Sequence, residues 1–225
     1  MEKLRLNFGA KSHQNDFCIP KGSIIQPDFF GKFSVARYLL LFVAFCVILP
    51  SCATSAHEMT RNLVEGNNAA LKGDYPTSVE KYEAALAQVP ESNAAKRNLG
   101  IVLVKIGDYQ RAKKNLKESV KIYPSDVEVH YYLGEAYRGL EDYKRAIKSY
   151  QRALKISPNE LRVQKAIAWT WFKGGEDEKT QLLVAPLLQE HPKDSQLRLI
   201  LASVQNRQKD FNAALKTMNP VESSG

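Results

Sequence analysis

Cysteine is scarce, three in 225 residues, which excludes a small fold held together by disulfides. Long hydrophobic runs are missing too. The main uncharged apolar stretch, Tyr38 to Leu49, falls well short of the roughly 20 residues that a helix needs to cross a ~30 Å hydrocarbon layer. With 44% apolar and 25% charged residues, the composition also excludes wholesale disorder and collagen. Catalytic signatures are absent: there is no His-Glu-x-x-His, no Gly-x-Ser-x-Gly and no phosphate-cradling Gly-x-x-x-x-Gly-Lys. Beyond Cys52 the chain has only His57, His130 and His191, too widely spaced to converge. Glu176-Asp177-Glu178 reads as a solvated turn rather than a metal or acid/base site. These absences predict a protein that is not an enzyme and that has no cofactor and no metal. The formal net charge of +8 favours anionic neighbours, but a nucleic-acid binder would need a concentrated basic face. Lys113, Lys114, Lys117 and Lys121 read as a hydrated outer stripe, one that could meet anionic lipid headgroups.

What the front of the chain does contain reads as an export signal. Residues Tyr38 to Leu49 follow Lys32 and Arg37, the pattern of a signal h-region behind a positive n-region. Leu49-Pro50-Ser51-Cys52 then resembles the bacterial lipobox, which implies diacylglycerol on the Cys52 thiolate and cleavage before it. The alternative is a buried Cys closing an ordinary apolar helix. Residues 1–51 are therefore read as an N-terminal extension plus lipoprotein signal peptide. Translation from Val35 on a GTG codon would give Met-Ala-Arg-Tyr directly ahead of the apolar run, without the polar preface. Residues 1–51 carry six Lys/Arg and three Asp/Glu, leaving the mature part with 26 against 21, a formal +5. No free thiol would then remain, which suits an oxidising compartment. Ala53 is not the Asp that retains enteric-type lipoproteins in the inner membrane, so outer-membrane placement is expected.

The rest of the chain repeats itself. Pro90, Pro124, Pro158 and Pro192 are 34 residues apart, and so are Gly66, Gly100, Gly134, Ala168 and Ala202. Asp74, Asp108, Asp142, Glu176 and Asp210 keep the same period, each followed by Tyr75, Tyr109, Tyr143 or Phe211 except where Asp177 breaks the series. Apolar or small residues three and four apart, as in Leu99, Gly100, Leu103 and Leu133, Gly134, Tyr137, mark one face of a helix. Gly107 is expected to stop a helix at φ > 0, Asp108 to cap the next, and Pro76 to fall in a first helical turn. Pro124 and Pro158 close second helices. A residue without a large side chain at position 8 of each unit, set opposite Ala112 or Ala146 at position 20, should let the helices approach closely. Pro186 predicts a bend or break in the second helix of the fourth unit.

This pattern resembles the tetratricopeptide repeat (TPR): a small residue at 8, Tyr at 17, Ala at 20 and Pro at 32 of each 34. The resemblance implies an all-α solenoid of antiparallel helix hairpins over residues 59–218. Its units are 59–92, 93–126, 127–160 and 161–194, with a truncated fifth from 195. Residues 52–58 are left as a linker and 219–225 as a disordered tail. The family's Trp at position 4 is replaced by Asn62, Lys96, His130, Gln164 and Arg198. Glu65 and Gln205 place polar groups at inward positions of the end units, as capping units do. The fourth unit is degenerate, with Asp177 for Tyr and Thr180 for Ala.

Positions 2, 5, 9, 12 and 13 of each first helix should line a concave groove. They supply Arg97 and Lys105, then Glu128, Tyr131, Glu135 and Arg138, then Arg162, Lys165, Trp169, Phe172 and Lys173. Basic groups interleaved with aromatics suit protein or peptide segments carrying carboxylates and one or two apolar anchors. For Trp169 and Phe172 the competing reading is packing between units; Trp171 is read as core. The two-Asn carboxylate clamp of some TPR proteins carries over onto Leu63, Asn67, Asn98, Glu128 and Tyr132, with both Asn but no basic residue. Shifted by one unit it gives Arg97 and Arg162 but Ile101 and Tyr132 for the Asn, so internal peptide segments are the expected ligands.

The expected function is an outer-membrane-anchored periplasmic TPR adaptor that assembles or localises an envelope complex. The layout is similar to the type IV pilus biogenesis TPR lipoproteins that help secretin subunits multimerise, and also to TPR adaptors for peptidoglycan enzymes. A cytosolic nucleic-acid-binding helical repeat is the alternative if the signal is not used. With the signal in use, the expected contacts are protein segments and, through the lipid, the membrane, with no nucleic acid.

Overall fold

The computed structural model describes residues 56–219. The signal segment, Cys52, the Val35 start and the tail from residue 220 lie outside the described residues. Helix α1 covers residues 56–71, so it already includes the last residues assigned to the linker. It is followed by α2 (Tyr75–Gln88), α3 (Asn93–Ile106), α4 (Tyr109–Ile122), α5 (Val127–Gly139), α6 (Tyr143–Ile156), α7 (Leu161–Lys173), α8 (Asp177–Glu190), α9 (Ser195–Arg207) and α10 (Phe211–Met218). The described residues contain no strand, and none of their helices is long and apolar enough to cross a membrane.

The helix boundaries follow the local chemistry. Asp74, Asp108, Asp142 and Asp210 each accept a backbone N–H of the first turn of the helix they precede, and Pro76 sits at its start in α2. Glu176, in the degenerate unit, makes no such side-chain bond. The residue before each of these caps is left-handed: Gly73, Gly107 and Gly175 have φ of 78, 85 and 81°, but Glu141 and Lys209 adopt φ of 58 and 65° at the same register. Second helices end ahead of Pro124 and Pro158, as predicted, and likewise ahead of Pro90 and Pro192.

Consecutive helices pack as hairpins, and the first helices also touch one another, α3 on α5, α5 on α7 and α7 on α9. Among the described residues the backbones of successive second helices stand further apart, and α2 meets α4 through side chains, as in the ion pair of Glu83 with Arg111. Closer spacing on one side than the other curves the array, so first helices line the inner face and second helices the outer one.

The close approach at position 8 is present, but its partner is not Ala112 or Ala146. A Cβ on Gly100 would lie 2.7 Å from Leu116, and one on Gly134 would lie 2.4 Å from the Tyr150 ring. The side chain filling the glycine notch is therefore at position 24, one helical turn beyond the alanine, because side chains on the second helix are offset along its axis. Trp171 is half-buried against the main core. That core runs from Ala70 to Ile167, while Ala168, Val184, Leu187, Leu197, Ile200 and Leu201 form a separate cluster, so the division falls in the degenerate fourth unit.

The break expected at Pro186 does not occur: α8 continues through it to Glu190. Pro186 is exposed, and Leu182, whose carbonyl loses its donor, is 77% exposed, so water can satisfy that oxygen.

Candidate functional site: the inner groove

Three first helices, α5, α7 and α9, enclose an open cavity of about 650 Å³. From α5 come Tyr131, Glu135 and Arg138; from α7 come Arg162, Lys165, Ala166 and Trp169; from α9 come Gln196, Leu199 and Ile200. Six of the side chains expected in the groove thus converge. Ala166, Gln196, Leu199 and Ile200 were missed. Gln196 and Leu199 hold positions 2 and 5 of the truncated unit, so the same register carried one unit further would have found them.

Five expected groove residues do not line the cavity, among them Glu128, which pairs with Arg162. Arg97 is 7% exposed, and its Nε donates to Asp126 Oδ2 at 2.8 Å while an Nη donates to Asn98. It is a buried brace between units, a correction to its reading as a ligand contact. Lys105 lies with Nζ 5.5 Å from the centroid of Tyr132. Phe172 packs on Trp169 with centroids 5.4 Å apart and carries the Arg207 guanidinium 3.9 Å above its own ring. Lys173 sits 5.2 Å from the Trp169 ring. Trp169 is half-buried against the second cluster, so it both packs between units and presents surface to the cavity. The clamp asparagines are internally satisfied: Asn67 Oδ1 accepts from Tyr82 Oη at 2.7 Å and Asn98 Nδ2 at 2.9 Å.

The cavity's cations already have partners within the fold. Arg138 pairs with Glu135, Arg162 with Glu128, and Lys165 with Asp194 at 2.9 Å, so three carboxylates face three cations. Burial alone would lower the Arg138 and Arg162 pKa values, but Glu135 and Glu128 outweigh it and raise both. Tyr150, raised by burial and then by Glu135, stays neutral and donates to Glu135 Oε1 at 2.6 Å. Arg162 also stacks 4.2 Å above the Tyr131 ring, where position 5 of the neighbouring units carries a cation. Asp194 serves twice: Oδ1 caps the Gln196 and Leu197 N–H groups at 2.9 and 3.0 Å, while Oδ2 holds Lys165. Asp126 does the same with Glu128 and Val129 on one side and Arg97 on the other. What remains on offer is an apolar floor of Trp169, Leu199 and Ile200, bounded by paired charges of both signs. Among the described residues no cluster of His, Cys, Asp or Glu could hold a metal ion.

Two family models, both described as Tetratricopeptide repeat, match the chain, one over residues 63–112 and 98–160 and the other over 138–204. Tetratricopeptide repeat protein 12 of Mus musculus is 28% identical over 73 residues, which are 32% of this chain and only 10% of that protein. A crystal structure of MamA protein is similar at a TM-score of 0.62 and 20% identity, over 72% of this chain and 88% of that one. MamA from Desulfovibrio magneticus RS-1, from residue 41 to its end, gives a TM-score of 0.57 at 25% identity, over 61% of this chain and 78% of that one. With hairpins in a 34-residue register and family matches that together run from residue 63 to 204, the chain belongs to the tetratricopeptide-repeat family.

Proposed function

We propose that this protein is a lipid-anchored, non-catalytic adaptor of a bacterial envelope, holding a protein segment in the groove between α5, α7 and α9. The observation that carries the binding reading is the cavity itself, set between three successive first helices, with half-buried Trp169 and exposed Leu199 in its lining. An apolar side chain of the partner enters there, and its carboxylates share Arg162 and Lys165 with Glu128 and Asp194. Because those cations are already paired, the apolar anchor dominates residence and charge contributes mainly to encounter.

The anchor reading is supported by the run Tyr38 to Leu49 and by Leu49-Pro50-Ser51-Cys52, with Ala53 favouring the outer membrane and the periplasmic side. The adaptor then assembles or localises an envelope complex, a type IV pilus secretin being the example of that layout. Photocrosslinking in cells from position 199, compared with position 80 on α2, tests the groove. One partner captured from position 199 alone, and lost with Leu199→Asp at unchanged helicity, is the expected result. Equal capture from both positions would place the binding surface elsewhere. Palmitate incorporation that persists in Cys52→Ser would overturn the anchor.

A further inference from the structure

The outer face of the two central units differs from the rest of the array. Helix α6 carries no acidic residue, and the one acid of α4, Glu118, is taken by Lys121 at 2.9 Å. Lys114, Lys117, Lys144, Lys148, Arg152 and Lys155 are all exposed and have no ion-pair partner among the described residues. The flanking second helices are unlike them: α2 bears Glu80 and Glu83, and α8 bears Asp177, Glu178 and Glu190. An ordinary solvated surface mixes signs; this one concentrates cations on two neighbouring ridges.

The repeat also puts these charges in register. Lys114 and Lys148 occupy the same position of successive units, and so do Lys121 and Lys155. The next residues, Ile122 and Ile156, are 52% and 38% exposed. One unit beyond Lys148 the same position is Leu182, 77% exposed, beside the exposed Pro186. Cations bordered by isolated exposed aliphatic residues make up a surface suited to the headgroup layer of a bilayer, where ammonium groups meet phosphates and short apolar side chains reach the acyl boundary.

We infer that the outer face of α4 and α6, with Leu182 of α8 at its edge, docks on an anionic lipid surface. A convex face meets a flat lamella along its crest but cannot wrap a rod-like polyanion. The exposed positions of α4 and α6 also lack the aromatic rings on which nucleic-acid bases would stack. Docking of this kind leaves the inner groove turned away from the membrane and open to a partner. The inference does not rest on the groove or on acylation of Cys52, since the face belongs to the folded array alone.

The test is sedimentation of the full chain with vesicles of phosphatidylcholine, alone or mixed with an equal amount of phosphatidylglycerol. The run Tyr38 to Leu49 contributes to both, so the ratio of the two partition coefficients is the readout. Lys114→Gln/Lys148→Gln/Lys155→Gln should reduce that ratio by on the order of a hundredfold, from roughly fivefold per cation. The complementary set Lys117→Gln/Lys144→Gln/Arg152→Gln should do the same, and added salt should abolish the wild-type preference. Leu182→Gln should weaken binding to anionic vesicles without changing its salt dependence. A wild-type ratio near one, or a ratio that survives both triple substitutions in folded protein, overturns the inference. Tighter retention of duplex DNA than of anionic vesicles at the same ionic strength would overturn it in favour of a nucleic-acid surface.

Discussion

Asp177 Oδ1 accepts from Arg207 Nη1 at 2.8 Å, at the register where, two units earlier, the Tyr109 ring covers Gly139. A Cβ on Gly139 would lie 2.4 Å from that ring, so the aromatic and the glycine form one fitted contact between units. In the degenerate unit an ion pair replaces it, and Arg207 adds a bond to the Phe172 carbonyl at 2.9 Å. A double-mutant cycle with Asp177→Ala and Arg207→Ala should give a coupling of about 0.5–1 kcal/mol, the range for a partly exposed pair. A coupling of zero in urea unfolding would mean that the pair does not hold α9 to α7 and α8.

Gly134→Ala should destabilise the array more than Gly100→Ala. The added methyl of the first meets three ring atoms of Tyr150, the nearest at 2.4 Å, and that ring is pinned by its bond to Glu135, whereas the nearest contact of the second, with buried Leu116, is longer at 2.7 Å. Overpacking of this kind costs about 1–3 kcal/mol, and the smaller loss belongs to Gly100. Thermal midpoints of the two variants rank them directly.

Glu141→Gly and Lys209→Gly should each stabilise the protein, because both residues hold positive φ at the turn where three other units have glycine. Relief of left-handed strain is worth about 1 kcal/mol per site before the greater freedom of glycine in the unfolded chain is subtracted. Equilibrium unfolding in urea at neutral pH checks this, and a loss at both sites would contradict the strain.

Pro186→Ala should also stabilise, by about 1–3 kcal/mol, since α8 already runs through that position and regains one hydrogen bond. A higher midpoint with little added helicity in circular dichroism is the expected signature. A large gain in helicity would mean instead that α8 is broken in solution.

Acid should loosen the junction of α7 and α9 through Asp194. Burial opposes its charged form, but Lys165 and the two N-cap N–H groups outweigh that and hold the carboxyl below its ordinary 3.8. A depressed pKa gives stability that is present above pH 3.8 and is lost as pH falls through the folded value. Asp194→Asn should therefore cost stability at pH 7 and flatten the acid limb of the stability profile, which urea unfolding across that range measures.

Much of this architecture is readable in the residues alone, because a repeat states each local choice several times. Asp at the turn, Pro past the second helix and glycine in the first each have a local cause, cap oxygen, lost N–H and missing Cβ, and local causes repeat with period 34. Register likewise brings Tyr131, Glu135, Arg138, Arg162, Lys165 and Trp169 to one face, since every first helix presents the same positions inward. What a side chain does once there is a matter of its neighbours. Arg97 and Lys165 share position 5, yet Arg97 is buried on Asp126 while Lys165 reaches the cavity, because the packing around each decides how much solvent remains. The tertiary structure alone decided that position 24 fills the glycine notch, that the groove's cations are already paired, and that Pro186 is tolerated. Each of these depends on distances between helices and on access of water, which no spacing along a single strand of sequence contains.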